Sequence, residues 1–359
     1  MADLDFARLT FDGARLTLAR EYAGLRKVDL ARAIDVTPAA ITQYEQGRSR
    51  PSLGTLAALS LNLAFPVEFF ELGRPLVDVS EQTTHFRRLR SASKVLRRRL
   101  LARLELLAEL IAIVEKHVDL PPVALPPADF PDDRAGAEQA ALLVRDAWGL
   151  ERGPIQHMVR VLETKGTVVV GPRIDTTEVN AFSRWLHQRP VVVLASDKGD
   201  AAVSRFDAAH ELGHLIMHHD AEPGDLYMER QADAFAAAFL MPAETIANEL
   251  PERLNWPRYF ELKKRWQVPL PALVRRSRDL GIISQYSYER AFVQISARGW
   301  RVPNEPAPLG AQEAPSLLPR ALDLMHAKLG ISSDELGLQL RLGGTAHPLF
   351  DDLALDLAA

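Results

Sequence analysis

Apolar residues recur along this chain mostly with the helical period of three to four, and β-branched runs that suit strands are confined to a short central region. Short amphipathic segments occupy 13–22, 27–33, 38–45 and 52–61; in the first, Leu16 and Ala19 share the inward side. A basic stretch at 86–90 and 94–103 runs into an apolar helix through Leu106, Leu107, Leu110, Ile113 and Val114. Further helices are expected at 137–150, 155–163, 201 to about 218, 229–240, 243–250, 256–266, 270–280, 286–299, 317–329 and 334–340. The β-branched runs at 166–170 and 191–195 predict strands, and 181–186 predicts a third, antiparallel to the second across a turn at 187–190. Pro121, Pro122, Pro126, Pro127 and Pro131 mark one linker; Pro303, Pro306, Pro308 and Pro315 mark another. The expected fold is therefore multidomain and mainly α with an α+β part. An all-α domain at 8–72 precedes a basic connector at 73–135, an α+β domain with a small sheet at 136–300, and a helical C-terminal segment at 301–359.

The helix expected at 201–218 carries His210-Glu211-Leu212-Gly213-His214. Residues four apart on a helix share a face, so the two imidazoles project together with Glu211 beside them. That set offers two neutral nitrogen ligands and a base for a water at a catalytic zinc ion. Asp200, after the turn at Lys198-Gly199, is the expected N-cap. Gly213 costs about 1 kcal/mol in a helix interior relative to alanine, which a close backbone neighbour would explain. On the next helix, Glu229 and Asp233 share a face opposite Phe235 and Phe239. A catalytic zinc usually has three protein ligands and an open position. Glu229 is the candidate third ligand, and Asp233 is placed to accept the outer N–H of a ligand histidine. Tyr227, Arg205, His187 and His157 are secondary candidates as donors to an oxyanion. His218 and His219 are expected on the exposed end of the metal helix.

The segments at 27–33 and 38–45, joined by a short turn, predict a helix-turn-helix. Thr37 is a suitable N-cap and Pro38 a suitable first helical residue. The second helix is expected to expose Ala39, Ala40, Thr42 and Gln43 to a DNA major groove and to bury Ile41 and Tyr44; glutamine can pair with adenine. Arg48 and Arg50, in the basic turn that follows, are placed for phosphates.

Composition narrows the setting. The 359-residue chain has no cysteine, so disulfides and cysteine-ligated zinc are excluded, and a reducing cytoplasm is the expected compartment. Met1-Ala2-Asp3-Leu4-Asp5 lacks the features of a signal peptide, and no apolar run reaches membrane-spanning length. The net charge of −4 gives no global attraction to nucleic acid, so DNA binding needs a local patch.

Two resemblances add to this reading. Tyr44-Glu45-Gln46-Gly47-Arg48-Ser49-Arg50-Pro51-Ser52-Leu53, with Thr55 and Leu56, resembles the lambda-repressor-like XRE family over about sixty residues. Asp35 stands where that family usually has a turn glycine, and Lys27 where a glutamine often opens the second helix; a phosphate contact remains open to Lys27. His210-Glu211-Leu212-Gly213-His214, Glu229-x-x-Ala232-Asp233-x-Phe235-Ala236 and Leu240-Met241-Pro242 resemble the ImmA/IrrE metallopeptidases. Upstream, Val179-Asn180-Ala181-Phe182-Ser183, the run from Arg189 to Leu194 and Asp197-Lys198-Gly199-Asp200 share that likeness, which spans roughly 155–242. Gln231 departs from it, at a position where a second glutamate is common. The resemblance implies a zincin-like domain with one catalytic Zn2+, His210, His214 and Glu229 as ligands, and Glu211 as the base. It also implies cleavage of a specific protein, such as a repressor or antitoxin, in a stress, phage or toxin–antitoxin response. The expected partners are a double-stranded DNA operator, bound by a candidate homodimer, that protein substrate, and single-stranded DNA or another trigger. Rival expectations are a transcription factor whose zinc-type domain senses a ligand without proteolysis, and an antitoxin-like autorepressor.

Overall fold

The computed structural model describes residues 2–73, 76, 93–127, 130–131, 133–171, 181–195, 200–218, 226–300, 304–343, 347 and 349–350. The basic run at 86–90, Val179-Asn180, Asp197-Lys198-Gly199, His219 and Pro303 lie outside the described residues. The chain divides into two compact units, one holding 1–81, 89–120 and 318–359, the other 82–88 and 121–317.

In the first unit, α1 (Ala2–Leu9) is followed by α2 (Gly13–Tyr22), α3 (Lys27–Ala33), α4 (Pro38–Glu45), α5 (Leu53–Leu63), a single 3-10 turn at Val67–Phe70, and α6 (Lys94–His117). Capping side chains set several starts: Asp12 accepts from the Ala14 amide, Thr37 from Ala40, Ser52 from Thr55 and Ser93 from Leu96. Leu16, Ala19, Leu30, Ile41, Leu56, Leu59, Phe65, Phe69 and Phe70 form the buried interior. Asp35, in the turn between α3 and α4, has φ 54°, so it takes the left-handed conformation that the family's glycine supplies. Gly13 opens α2 where a Cβ would stand 2.2 Å from the Tyr44 carbonyl oxygen, so its lack of a side chain lets α2 and α4 meet.

The helix α6 differs from the connector expected at 73–135. It packs along α2, where Arg15, fully buried, pairs with Glu109, and Arg103 lies over the Tyr22 ring. Its arginines 97–99 are half-buried rather than a free solvated face, and Arg98 pairs with Glu21 at 3.4 Å.

In the second unit, α7 (Arg134–Ala147) and α8 (Met158–Thr164) precede β1 (Val168–Val170), β2 (Ala181–Leu186) and β3 (Arg189–Leu194). The helices α9 (Ala201–Met217), α10 (Leu226–Leu240), α11 (Ala243–Ile246), α12 (Trp256–Trp266), α13 (Leu270–Asp279) and α14 (Gln285–Ala297) follow. The strand order is β1-β3-β2, with β1 parallel and β2 antiparallel to β3 in the register Ser183 opposite Val192. The helix α9 packs against α10, α7, α8 and the β2–β3 pair. Ala208, Ala209, Leu212, Phe235, Phe239 and Tyr259 belong to the core around it.

Both proline-rich stretches pack on this unit. The Arg189 guanidinium donates to the Pro121 carbonyl, and the Trp148 indole N–H donates to that of Ala124. Beyond α14, Glu305 pairs with Lys263, Glu313 with Arg205, and the Ser316 hydroxyl donates to Glu163. The second unit accordingly runs past the boundary expected at residue 300, because acidic anchors hold the proline-rich strap down. The last helices, α15 (Leu317–Leu329) and α16 (Ser333–Gln339), group with the first unit. There His347 lies against Tyr22 and Phe65, and Arg341 pairs with Glu71.

Candidate metal centre

The helix α9 starts at the Asp200 side chain, which accepts from the Ala202 amide at 3.0 Å. Its own Oδ2 receives Lys263 at 2.7 Å, so a buried ion pair fixes the start of the helix that carries the motif. Two turns and more later, His210, Glu211 and His214 are all nearly inaccessible to solvent. The helix α10 crosses beside them and presents Glu229. One ligand atom from each of His210, His214 and Glu229 can be chosen so that all lie within 4.8 Å of one another. The two histidine Nε2 atoms are 3.1 Å apart, and the Glu229 oxygens lie 3.7 Å from His210 and 3.6 Å from His214.

The outer partners of the imidazoles decide what these atoms can do. The His210 Nδ1–H donates to Asp233 at 3.0 Å, and the second Asp233 oxygen accepts from Arg275 at 2.8 Å. On the other side, His218 Nε2–H donates to the Gln231 amide oxygen at 3.0 Å. That leaves the His218 Nδ1 lone pair to accept from His214 Nδ1–H at 2.9 Å. Both histidines then turn an unprotonated Nε2 toward Glu229. Two lone pairs and a carboxylate converging at this range repel unless a cation sits between them. The donor set of two imidazoles and one carboxylate fits a catalytic divalent ion, zinc above all.

Glu211 points to the sheet side. The Ser183 hydroxyl, on β2, donates to its Oε2 at 2.8 Å. Gly213 explains itself by the side chain of a neighbour rather than by backbone: a Cβ there would stand 3.1 Å from the Phe235 ring. The helices α9 and α10 come close enough at this point for His210, His214 and Glu229 to meet.

Several expectations need correction. His218 is buried and hydrogen-bonded, not exposed, because α9 ends against α10. Arg205 is buried away from the ligands, donating to the Ile155 and Gln156 carbonyls and pairing with Glu313. His157 caps α8, and His187, with φ 53°, forms the exposed β2–β3 turn. Of the secondary candidates only Tyr227 lines the cleft beside Glu229. Sequence reasoning missed Ser183, His218, Gln231 and Arg275. The i,i+4 spacing of His214 and His218 was a signal for one of them, and Gln231 stands two residues from Glu229; Ser183 and Arg275 lie 28 and 42 residues from the side chains they bond.

In the first unit, Ala39, Gln43, Arg48 and Arg50 are exposed, while Ala40 and Thr42 are half-buried, Thr42 donating its hydroxyl to the Pro38 carbonyl. Tyr44 is half-buried rather than buried. Thr37 caps α4 through its side chain. Lys27 pairs with Glu45 at 2.8 Å, and Arg20 binds the other oxygen of that carboxylate, so the Lys27 ammonium is already engaged.

Residues 13–65 match the model of a helix-turn-helix domain, and residues 162–278 match that of the IrrE N-terminal-like domain of the Peptidase_M78 family. No curated protein matches the chain. The chain thus joins a helix-turn-helix domain to an ImmA/IrrE-type metallopeptidase-family domain in one polypeptide. No helix among the described residues is long and apolar enough to cross a membrane.

Proposed function

We propose that this chain is a DNA-binding transcriptional regulator whose second unit is a zinc-dependent endopeptidase acting on a specific regulatory protein. The observation that carries the reading is the convergence of His210, His214 and Glu229 with both imidazole tautomers set from outside. When bound, a divalent ion supplies Lewis-acid polarisation of a peptide carbonyl and acidifies water. His210, His214 and Glu229 would hold it. Glu211 takes a proton from the attacking water and passes it to the leaving amine as the C–N bond breaks. The Ser183 hydroxyl orients the Glu211 carboxylate by donating to Oε2. Asp233 holds the His210 ring in place.

The helix-turn-helix is assigned to an operator, with Ala39, Ala40, Thr42 and Gln43 toward the bases, Arg48 and Arg50 toward phosphates, and Thr37 and Lys27 supporting them. A candidate homodimer would span paired half-sites, and single-stranded DNA is a candidate trigger. The substrate class is a repressor or antitoxin, and the assigned compartment is the cytoplasm. A ligand-sensing domain without proteolysis would have no use for a buried base beside the ligands, and Glu211 favours the enzyme for that reason.

The test incubates zinc-loaded protein with candidate partner repressors, with and without single-stranded DNA, beside the Glu211→Gln variant. Cleavage by the wild type alone, with DNA binding kept by both, supports the reading. Equal cleavage by Glu211→Gln removes Glu211 from its role.

A further inference from the structure

A cleft of about 670 Å³ opens beside Glu229 and Asp233, and its walls are unusually rich in arginine. Arg134 comes from the start of α7, Arg230 from α10, and Arg275 and Arg278 from one side of α13. Arg276, between the last two, turns the other way; it is fully buried and bonded to Glu138 and the Met241 carbonyl. The run at 275–278 therefore divides its cations between the core and the cleft.

The acids of the cleft that face these arginines are Glu229, Asp233 and Asp279, and Glu138 lies against Arg134 at 3.4 Å from outside it. Each has its work. Glu229 lies against the two histidines, Asp233 bridges His210 and Arg275, and Asp279 takes Arg134 at 2.6 Å and Arg278 at 2.5 Å. Arg230 is exposed, and no acid among the described residues is placed against it. Arg230 thus adds a cation that no carboxylate of this concave site answers, and a divalent ion on Glu229 would add further positive charge. Arginine suits such a site because its fork of N–H donors binds carboxylates with fixed geometry, and it stacks on aromatic rings. Arg278 lies 4.3 Å over the Tyr288 ring, which holds its plane. Tyr227 and Leu226 supply apolar surface at the same mouth.

We propose that this cleft is the specificity pocket of the candidate peptidase and that it selects a peptide carrying acidic side chains beside the bond to be cut, with Arg230 as the main recognition residue. The proposal rests on the peptidase reading for its biological sense, but binding tests it separately. A peptide is favoured over a nucleic acid because the pocket adjoins the proposed reacting centre and the Tyr288 ring is already covered by Arg278 and Phe292.

The experiment measures binding of fluorescently labelled peptides of about ten residues to full-length zinc-loaded Glu211→Gln protein by anisotropy. The peptides differ only in a central block of glutamate, glutamine or lysine. The glutamate peptide should bind about tenfold more tightly than the lysine peptide at low salt, with glutamine between them, and added salt should narrow the gap. Arg230→Glu should abolish or invert that order, and Arg230→Ala, which adds no charge, should reduce it. Equal binding of all three peptides, binding of none, or a preference that survives Arg230→Glu overturns the proposal. So does tight binding of single-stranded DNA that is lost in Arg230→Glu while the peptides go undiscriminated, since the ligand would then be a nucleic acid. Hydrolysis of the same peptides by the wild type is read in parallel. Acid-selective binding without hydrolysis defeats the peptidase reading and leaves the pocket assigned; unselective hydrolysis does the reverse.

Discussion

At the scale of single residues, the centre depends on side chains that never touch its open position. Asp233 is the clearest. It accepts from His210 and from Arg275, so it holds one ligand ring and is itself held. Asp233→Asn keeps the shape but removes the charge, and zinc affinity should fall roughly 10- to 100-fold in a competition titration; an unchanged affinity would mean that His210 is oriented by packing alone. Gly213 answers to a different force. Alanine would gain about 1 kcal/mol of helix propensity, but overpacking a full core costs about 1–3 kcal/mol. The Phe235 ring that the new methyl meets is fully buried and stacked on Phe239. Gly213→Ala should therefore destabilise the second unit by about 1 kcal/mol in denaturant unfolding, and stabilisation by the same amount would show that the ring moves freely. The meeting of His210 and His214 was legible as spacing, since a helix turns i and i+4 to one face. Ser183 and Arg275 were not, because 28 and 42 residues separate them from their partners and nothing local marks that pairing.

At the scale of elements, the sequence carried most helix starts and the antiparallel pairing of the second and third strands. N-caps at Thr37 and Asp200 and the β-branched run at 191–195 are short-range signals, and the structure follows them. Proline misled at the boundaries. Clustered prolines predict linkers, yet both stretches lie on the second unit because Glu305, Glu313 and the Pro121 carbonyl find buried or half-buried cations far along the chain. The junction of α7 with α13 gives a pH test. Burial would raise the Asp279 carboxyl, but hydrogen bonds from Arg134 and Arg278 overcome it and hold the group below its ordinary value. A depressed folded value means that its contribution is complete at neutral pH and is lost as pH falls below the ordinary carboxylate value of about 4. Asp279→Asn should lower stability by about 2 kcal/mol at pH 7, with a smaller difference from wild type at pH 3 in thermal melts. A gap that stays constant across that range would show that the ion pairs contribute nothing.

At the scale of the whole molecule, the chain is less a string of beads than its sequence suggests. The helix-turn-helix unit is completed by α6 and by the C-terminal helices, which return from the far end of the chain. Leu318 and Leu349 are buried there, and His347 packs on Tyr22 and Phe65, residues of the helix-turn-helix domain itself. Deleting 318–359 should lower the melting midpoint of that unit by roughly 5 °C or more and weaken operator binding at 37 °C; an unshifted midpoint would make the tail an appendage after all. A DNA-binding unit and a candidate peptidase in one polypeptide give cleavage a direct route to gene control, but that coupling has meaning only if the histidine–glutamate trio binds metal. The decisive measurement is the metal content of the purified, zinc-equilibrated chain by mass spectrometry, beside Glu229→Ala and His214→Ala. About one tightly held zinc ion per wild-type chain, lost in both variants while they keep their helical circular dichroism, is the predicted result; a wild type that holds no zinc, or variants that hold as much, would contradict it.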